Sequence, residues 1–178
     1  MLDEKRIKEA KENIATYIEE ELIWKVNIQN KDVLNTYIRN YKESLAVAES
    51  VNSQNISSLW VIVSSYYAMF YVTNAVLYCQ GYKIGNKVCH KITSDALIVF
   101  IRDKLKKNLI EEYEEAKAEA LEIIGSRSDE IIGYYDQELD KRSIFQYEST
   151  DEIKKSKAET SLKRAKNFVF ELSRLIKQ

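Results

Sequence analysis

Residues 59–79, LWVIVSSYYAMFYVTNAVLYC, decide the fold. A helix drawn through them is apolar or aromatic on every face, and no charged residue occurs from Ser50 to Tyr82. Such a helix has to be covered all round, by lipid or by protein. Its length permits a membrane span. Against a span, Ser64, Ser65, Thr73 and Asn74 interrupt the run, Tyr66, Tyr67, Tyr71 and Tyr78 lie along it, and no cluster of Lys or Arg marks an orientation. The reading preferred is a buried central helix in a protein with no membrane role. Ser57 or Ser58 caps its start and Gly81 ends it.

Working outward, the flanking segments supply covering surfaces. Residues 3–25 place Ile7, Ala10, Ile14 and Tyr17 on one stripe, and residues 32–52 do the same with Leu34, Ile38, Tyr41, Leu45 and Ala48. NIQNKD (27–32) reads as the loop between them, with Asp32 as the helix cap. After the GYKIGN loop (81–86), a helix over 90–106 carries Ala96, Leu97, Phe100, Ile101 and Leu105. An acidic helix over 109–124 is expected to break at GSRSD (125–129) and to resume with Ile131, Ile132, Tyr135 and Leu139. Ser149 followed by Glu152 forms a capping-box signature. It opens a last helix over 150–177, with Ala158, Leu162, Ala165, Val169, Leu172 and Ile176 inward. The chain has no proline and four glycines, so helix punctuation is scarce. The expectation is an all-α fold: an up-and-down helical bundle of about five to seven helices, one domain over residues 1–178, around a buried central helix.

One stripe of the central helix is small: Ser65, Ala68, Val72, Ala75 and Cys79. Two readings stand for it. It is either tight packing within the chain or a face shared by two chains of a homodimer.

Charge and rare residues exclude several function classes. Twenty-seven basic residues balance 28 acidic ones, which gives no general footprint for duplex DNA. Cys79, Cys89 and one histidine, His90, are too few ligands for a structural metal, and nothing suggests a disulfide framework. P-loop, GxGxxG, GxSxG and HExxH signatures are absent, so neither metal nor cofactor is expected. The N-terminus is charged from its third residue and lacks a secretory apolar region, so a cytoplasmic location is expected.

SSYYAMFYVTNAVLYCQGYKIG (64–85), CHKITSDALIVF (89–100) and KRSIFQY (141–147) together resemble HEPN domains, over roughly residues 52–176. The similar features are a tyrosine-rich central helix of YYAMF type, a glycine-containing loop, a histidine near the next helix start, and an arginine-then-tyrosine segment before the last helix. The resemblance implies a bundle of four to six helices, commonly dimeric. Such domains are often encoded beside a minimal nucleotidyltransferase in toxin–antitoxin pairs. Many are metal-independent ribonucleases in which an arginine is followed four to six residues later by histidine. There the histidine moves protons at the 2′-hydroxyl and the leaving oxygen, while the arginine neutralises phosphoryl charge.

This chain carries Arg142 with Tyr147 in place of that histidine. A phenol of ordinary pKa near ~10 is a poor general base at neutral pH, but it can donate to a phosphate or stack on a base. Candidate site residues are therefore Arg142, Tyr147 and His90. Each has a plainer reading: Arg142 pairs with Glu138 four residues back, Tyr147 closes the core beneath the last helix, and His90 caps or packs. The leading functional reading is a HEPN-like module that binds a nucleotide, RNA or a protein partner, the partner being a minimal nucleotidyltransferase. Its rivals are a metal-independent ribonuclease toxin using Arg142 with Tyr147 or His90, and a purely structural dimerisation module.

Overall fold

The computed structural model describes residues 2–135 and 151–176. Among these residues the fold is all-α, with one small two-stranded ribbon. In chain order the elements are α1 (Glu4–Glu19), β1 (Ile23–Lys25), α2 (Lys31–Ser53), α3 (Ser58–Cys79), β2 (Tyr82–Ile84), α4 (Cys89–Ala96), a π-turn (Leu97–Ile101), a 3₁₀ turn (Arg102–Lys104), α5 (Lys107–Tyr135) and α6 (Asp151–Ser173).

The uncharged segment is α3, and it is the core. By length and composition it could cross a membrane, yet 78% of its apolar window is buried against the rest of the chain. It packs chiefly on α2 and α6, then on α5. Its polar residues are largely satisfied inside that packing. Thr73 donates to the Met69 carbonyl at 2.8 Å, and Asn74 donates to the Phe70 carbonyl at 2.9 Å and to Thr93 Oγ1 at 3.2 Å. Those bonds let α3 hold hydroxyls and an amide without water. Around it, Tyr66, Met69, Leu77, Ile98, Ile101, Tyr113 and Phe168 are fully enclosed, with the Tyr113 and Phe168 rings stacked at 5.4 Å.

The ends of α3 are set by local chemistry. The Ser57 hydroxyl accepts from the Trp60 N–H at 3.4 Å, and Gly81 takes φ +85°, which favours glycine after a helix. Gln29 donates its amide to the carbonyls of Tyr78 and Cys79, at 3.0 and 2.9 Å, and so covers the C-terminal end. The small stripe lies inward. Ser65, Ala68, Val72 and Ala75 are fully buried within one chain and Cys79 is half-buried, so close intrachain packing describes the stripe.

Four local expectations are corrected. The first helix stops at Glu19 rather than near Lys25, because Glu21 turns left-handed at φ 55° and residues 23–25 become a strand. That strand pairs antiparallel with β2, Trp24 opposite Lys83 and Lys25 opposite Tyr82. Asn30, not Asp32, caps α2; its side chain accepts from the Asp32 N–H at 2.7 Å. The fourth helix keeps α geometry only to Ala96, then widens to a π-turn that sets Phe100 against Tyr82. α5 continues through GSRSD, since one glycine costs a helix only about 1 kcal/mol and no proline follows. The expected cap at Ser149 lies outside the described residues.

Burial of the stripe sets a mutational expectation. Ala68→Trp forces an indole where Ala68 exposes nothing and should cost about 3 kcal/mol or more. Val47→Trp, on the exposed face of α2, should stay within about 0.5 kcal/mol of the parent. Urea midpoints compare the two, and equal midpoints would contradict the placement of α3.

Candidate functional site

Among the described residues, the fully buried charge lies between α1, α4 and α5. Asp95, near the end of α4, is fully buried. Its Oδ1 lies 2.6 Å from Arg6 Nη2, and its Oδ2 accepts from Asn13 at 3.0 Å and from the Tyr17 hydroxyl at 3.2 Å. Burial first, then the neighbouring carboxylate, raises the Tyr17 phenol to about 12. The adjacent Ser94 donates to Glu114 on α5, and Lys117, one helical turn further on, donates to Ser94 Oγ at 2.9 Å and to Glu114 at 3.1 Å. Arg6 also lies 3.7 Å from Glu114. These bonds clamp three helices, and with them the short α4.

At the start of α4 the clamp meets an aromatic wall. His90 Nδ1 and the Tyr66 hydroxyl lie 2.7 Å apart. The imidazole centroid is 4.7 Å from that of Phe70, 5.6 Å from Tyr66 and 5.8 Å from Tyr67. Burial, and secondarily the charge of Lys117, lowers the His90 pKa below its ordinary 6.5, so the ring is neutral at pH 7. Burial raises Tyr66 well above the usual tyrosine range, which keeps its phenol protonated. A buried phenol proton needs an acceptor, and Nδ1 is the one at hand, which assigns the N–H to Nε2. The Tyr113 hydroxyl abuts that of Tyr66 without closing a regular hydrogen bond to any described group. His90 is half-buried.

This niche holds a neutral imidazole on a phenol, an ammonium beside it and stacked rings behind. Chemically it offers one proton acceptor or donor and apolar faces, with the Lys117 ammonium engaged by Glu114 and Ser94. Among the described residues no group of three or more His, Cys, Asp or Glu is arranged to hold a metal. A hollow of about 300 Å³, lined by Leu2, Arg6, Glu111, Glu114 and Glu115, adjoins the clamp. Its three carboxylates make it a poor seat for an anion.

No family model matches this chain, and no curated protein matches it.

Of the three residues singled out from the sequence, His90 sits in the niche, while Arg142 and Tyr147 lie outside the described residues. Sequence reasoning missed Arg6, Asp95 and Lys117. One signal pointed at Asp95: it is the lone charge within the apolar run ITSDALIVF, and such a charge demands a partner.

Two expectations follow. Asp95→Ala strands the Arg6 guanidinium and should cost about 3 kcal/mol, whereas Arg6→Leu combined with Asp95→Leu should recover part of that loss. Guanidinium chloride denaturation measures both, and additive losses would dissolve the pair. The second concerns protonation. Because the folded-state pKa of His90 is lowered, its contribution to stability is full above about pH 6.5 and is lost as pH falls through the folded value. His90→Gln should therefore flatten the decline of the melting temperature on the acid side. The untagged protein has a single imidazole, so its NMR titration reads the pKa directly. Tyr66→Phe removes the donor to Nδ1 and should move that pKa upward.

Proposed function

We propose that the chain is a HEPN-like module that binds RNA or a nucleotide, acts as a homodimer in the cytoplasm, and is paired with a minimal nucleotidyltransferase in a toxin–antitoxin-type system. One observation carries the reading: the two segments that resemble HEPN domains most, the YYAMF helix and the CHKITSDALIVF segment, meet in a polar, half-open niche around the only imidazole. Lys117 is near enough to depress the His90 pKa, with its ammonium held by Glu114 and Ser94. Arg142 and Tyr147 complete the ligand contacts in this proposal, the guanidinium on a phosphate and the phenol as donor or stacking face.

The ribonuclease reading keeps a specific support of its own. A neutral, partly exposed imidazole is in the protonation state of a general base, and Arg142 would supply the charge for the phosphoryl group. In this second proposal cleavage runs through His90 or Tyr147 with no metal.

The tests separate the two. Arg142→Ala should weaken RNA or nucleotide binding about tenfold to hundredfold, the worth of a charged hydrogen bond, with the melting temperature nearly unchanged. Tyr147→His restores the arginine–histidine spacing and should create or raise metal-independent RNA cleavage near neutral pH. Cleavage by the parent protein, abolished in His90→Ala, would replace the binding reading with the ribonuclease one. Light scattering at high protein concentration tests the dimer, and a monomer there would remove it.

A further inference from the structure

A helix that is apolar all round has to be covered all round, and among the described residues one line of α3 is left open. Positions 60, 64, 67 and 71 of a helix fall within about 60° of one another, on a single line. On α3 they are Trp60, Ser64, Tyr67 and Tyr71. Trp60 is 63% exposed, and Tyr67 and Tyr71 are half-buried. Every other residue from Val61 to Tyr78 is buried, since α2, α5 and α6 pack on the remaining sides. The line closes at its C-terminal end, where buried Tyr78 meets Tyr37 of α2 edge-on at 6.1 Å.

The open part is continuous with the His90 niche. Tyr67 and Tyr71 lie against each other with 5.8 Å between ring centroids, and Tyr67 meets the imidazole at 5.8 Å. Ser64, one turn from Trp60 and one from Tyr67, keeps a small side chain between the two larger ones.

Charge decides what fits there. A two-fold contact sets a face against itself, so a charge near the axis meets its like. The exposed faces of α1, α2, α5 and α6 carry charges, Lys8, Arg39, Glu115 and Lys163 among them. From Ser50 to Tyr82 the chain carries none, so this line can meet its own copy without repulsion. The same absence disfavours other occupants. An acidic or basic partner gains no ion pair from α3, and anionic headgroups would find Lys117, the cation beside the niche, already held by Glu114 and Ser94. Trp and Tyr are also the side chains that protein interfaces favour, because each buries a large apolar body and keeps a polar tip.

We propose that the line Trp60–Tyr67–Tyr71 is where a second copy of this chain docks, α3 against α3 about a two-fold axis. The contact covers the open side of the helix and brings both His90 niches to one interface. The inference rests on the homodimer reading above and names its face.

The test is sedimentation equilibrium of the full-length protein and its variants over a range of concentrations. Trp60→Glu should weaken the dimer at least about tenfold, because it removes an aromatic anchor and the two-fold axis repeats the new charge. A carboxylate in the first turn of α3 suits the helix itself. Trp60→Gln, which adds no charge, should weaken the dimer less but in the same direction. Phe170→Glu on α6, where the ring is 60% exposed, should leave it unchanged. With two tryptophans in the chain, a Trp24→Phe background leaves Trp60 as the reporter, and its emission should shift to the blue as the protein is concentrated. A benzophenone side chain placed at position 60 should join two chains on irradiation. A dimer as tight as the parent in both Trp60 variants would overturn this face and leave the homodimer standing. A parent that stays monomeric at high concentration would overturn both. Capture within one chain, or a Trp60 blue shift that needs anionic vesicles, would overturn the copy as the occupant.

Discussion

The obligation to cover α3 on every side organises this molecule. A helix of 22 residues without a charge exposes apolar surface in all directions, and burying it is worth roughly 25 cal/mol per Å². One neighbour cannot supply that cover, since a packed helix shields only a stripe. α2, α5 and α6 are therefore drawn to different sides of it, and each contributes a stripe of its own. Small residues on α3 decide where they come closest. Ala68, Val72 and Ala75 leave room for a neighbouring backbone, while Tyr66, Met69 and Phe70 fill wider gaps. The tyrosines that make the segment unsuited to lipid serve here as long side chains with a polar tip. Tyr78, for example, accepts the N–H of Asn30 at 2.8 Å where α2 begins.

Once α3 has claimed the apolar interior, the buried carboxylate of Asp95 is admitted beside an opposite charge. Asp95 shows what that requires: an arginine, an amide and a phenol from α1 converge on one carboxylate. Removing any carboxylate from water is costly, so this site adds less net stability than its short distances suggest. Its value is positional. α4 has eight residues and, alone, too little length to hold a helix. Pinned at Asp95 and Ser94, it keeps its first turn, and His90 with it, against the rings of α3.

Much of this was legible from residue order. The absence of charge from Ser50 to Tyr82 identified the central helix, and alternating three- and four-residue spacing located α2, α6 and the start of α1 within a few positions. Turn chemistry narrowed the start of α3 to Ser57 or Ser58, of which Ser57 is the cap, and put Gly81 at its end. What could not be read depends on contacts distant in sequence. Ile23-Trp24-Lys25 is too short to show a strand period, and only pairing with Tyr82–Ile84, almost sixty residues on, makes it one. The change to π geometry after Ala96 likewise answers to packing, where Phe100 finds Tyr82. For the site, His90 stood out by being the only histidine, but its partner did not. Tyr66 is one of 12 tyrosines, and nothing local distinguishes it from Tyr67 beside it.

The difference between those two neighbours shows how the fold turns composition into chemistry. One residue along a helix rotates a side chain by about 100°, so Tyr66 points inward and Tyr67 toward the rim. Tyr66 is sealed, protonated and fixed on Nδ1; Tyr67 stays half-exposed and meets the same imidazole edge-on. The first sets the tautomer of His90, and the second limits how the ring is approached. Lys117 also opposes protonation, through a position held by the same carboxylate that ties α5 to α4. A neutral histidine with its proton on Nε2 is thus a consequence of three helices being locked together. Any change that loosens the Asp95 clamp should reach the imidazole even without touching it.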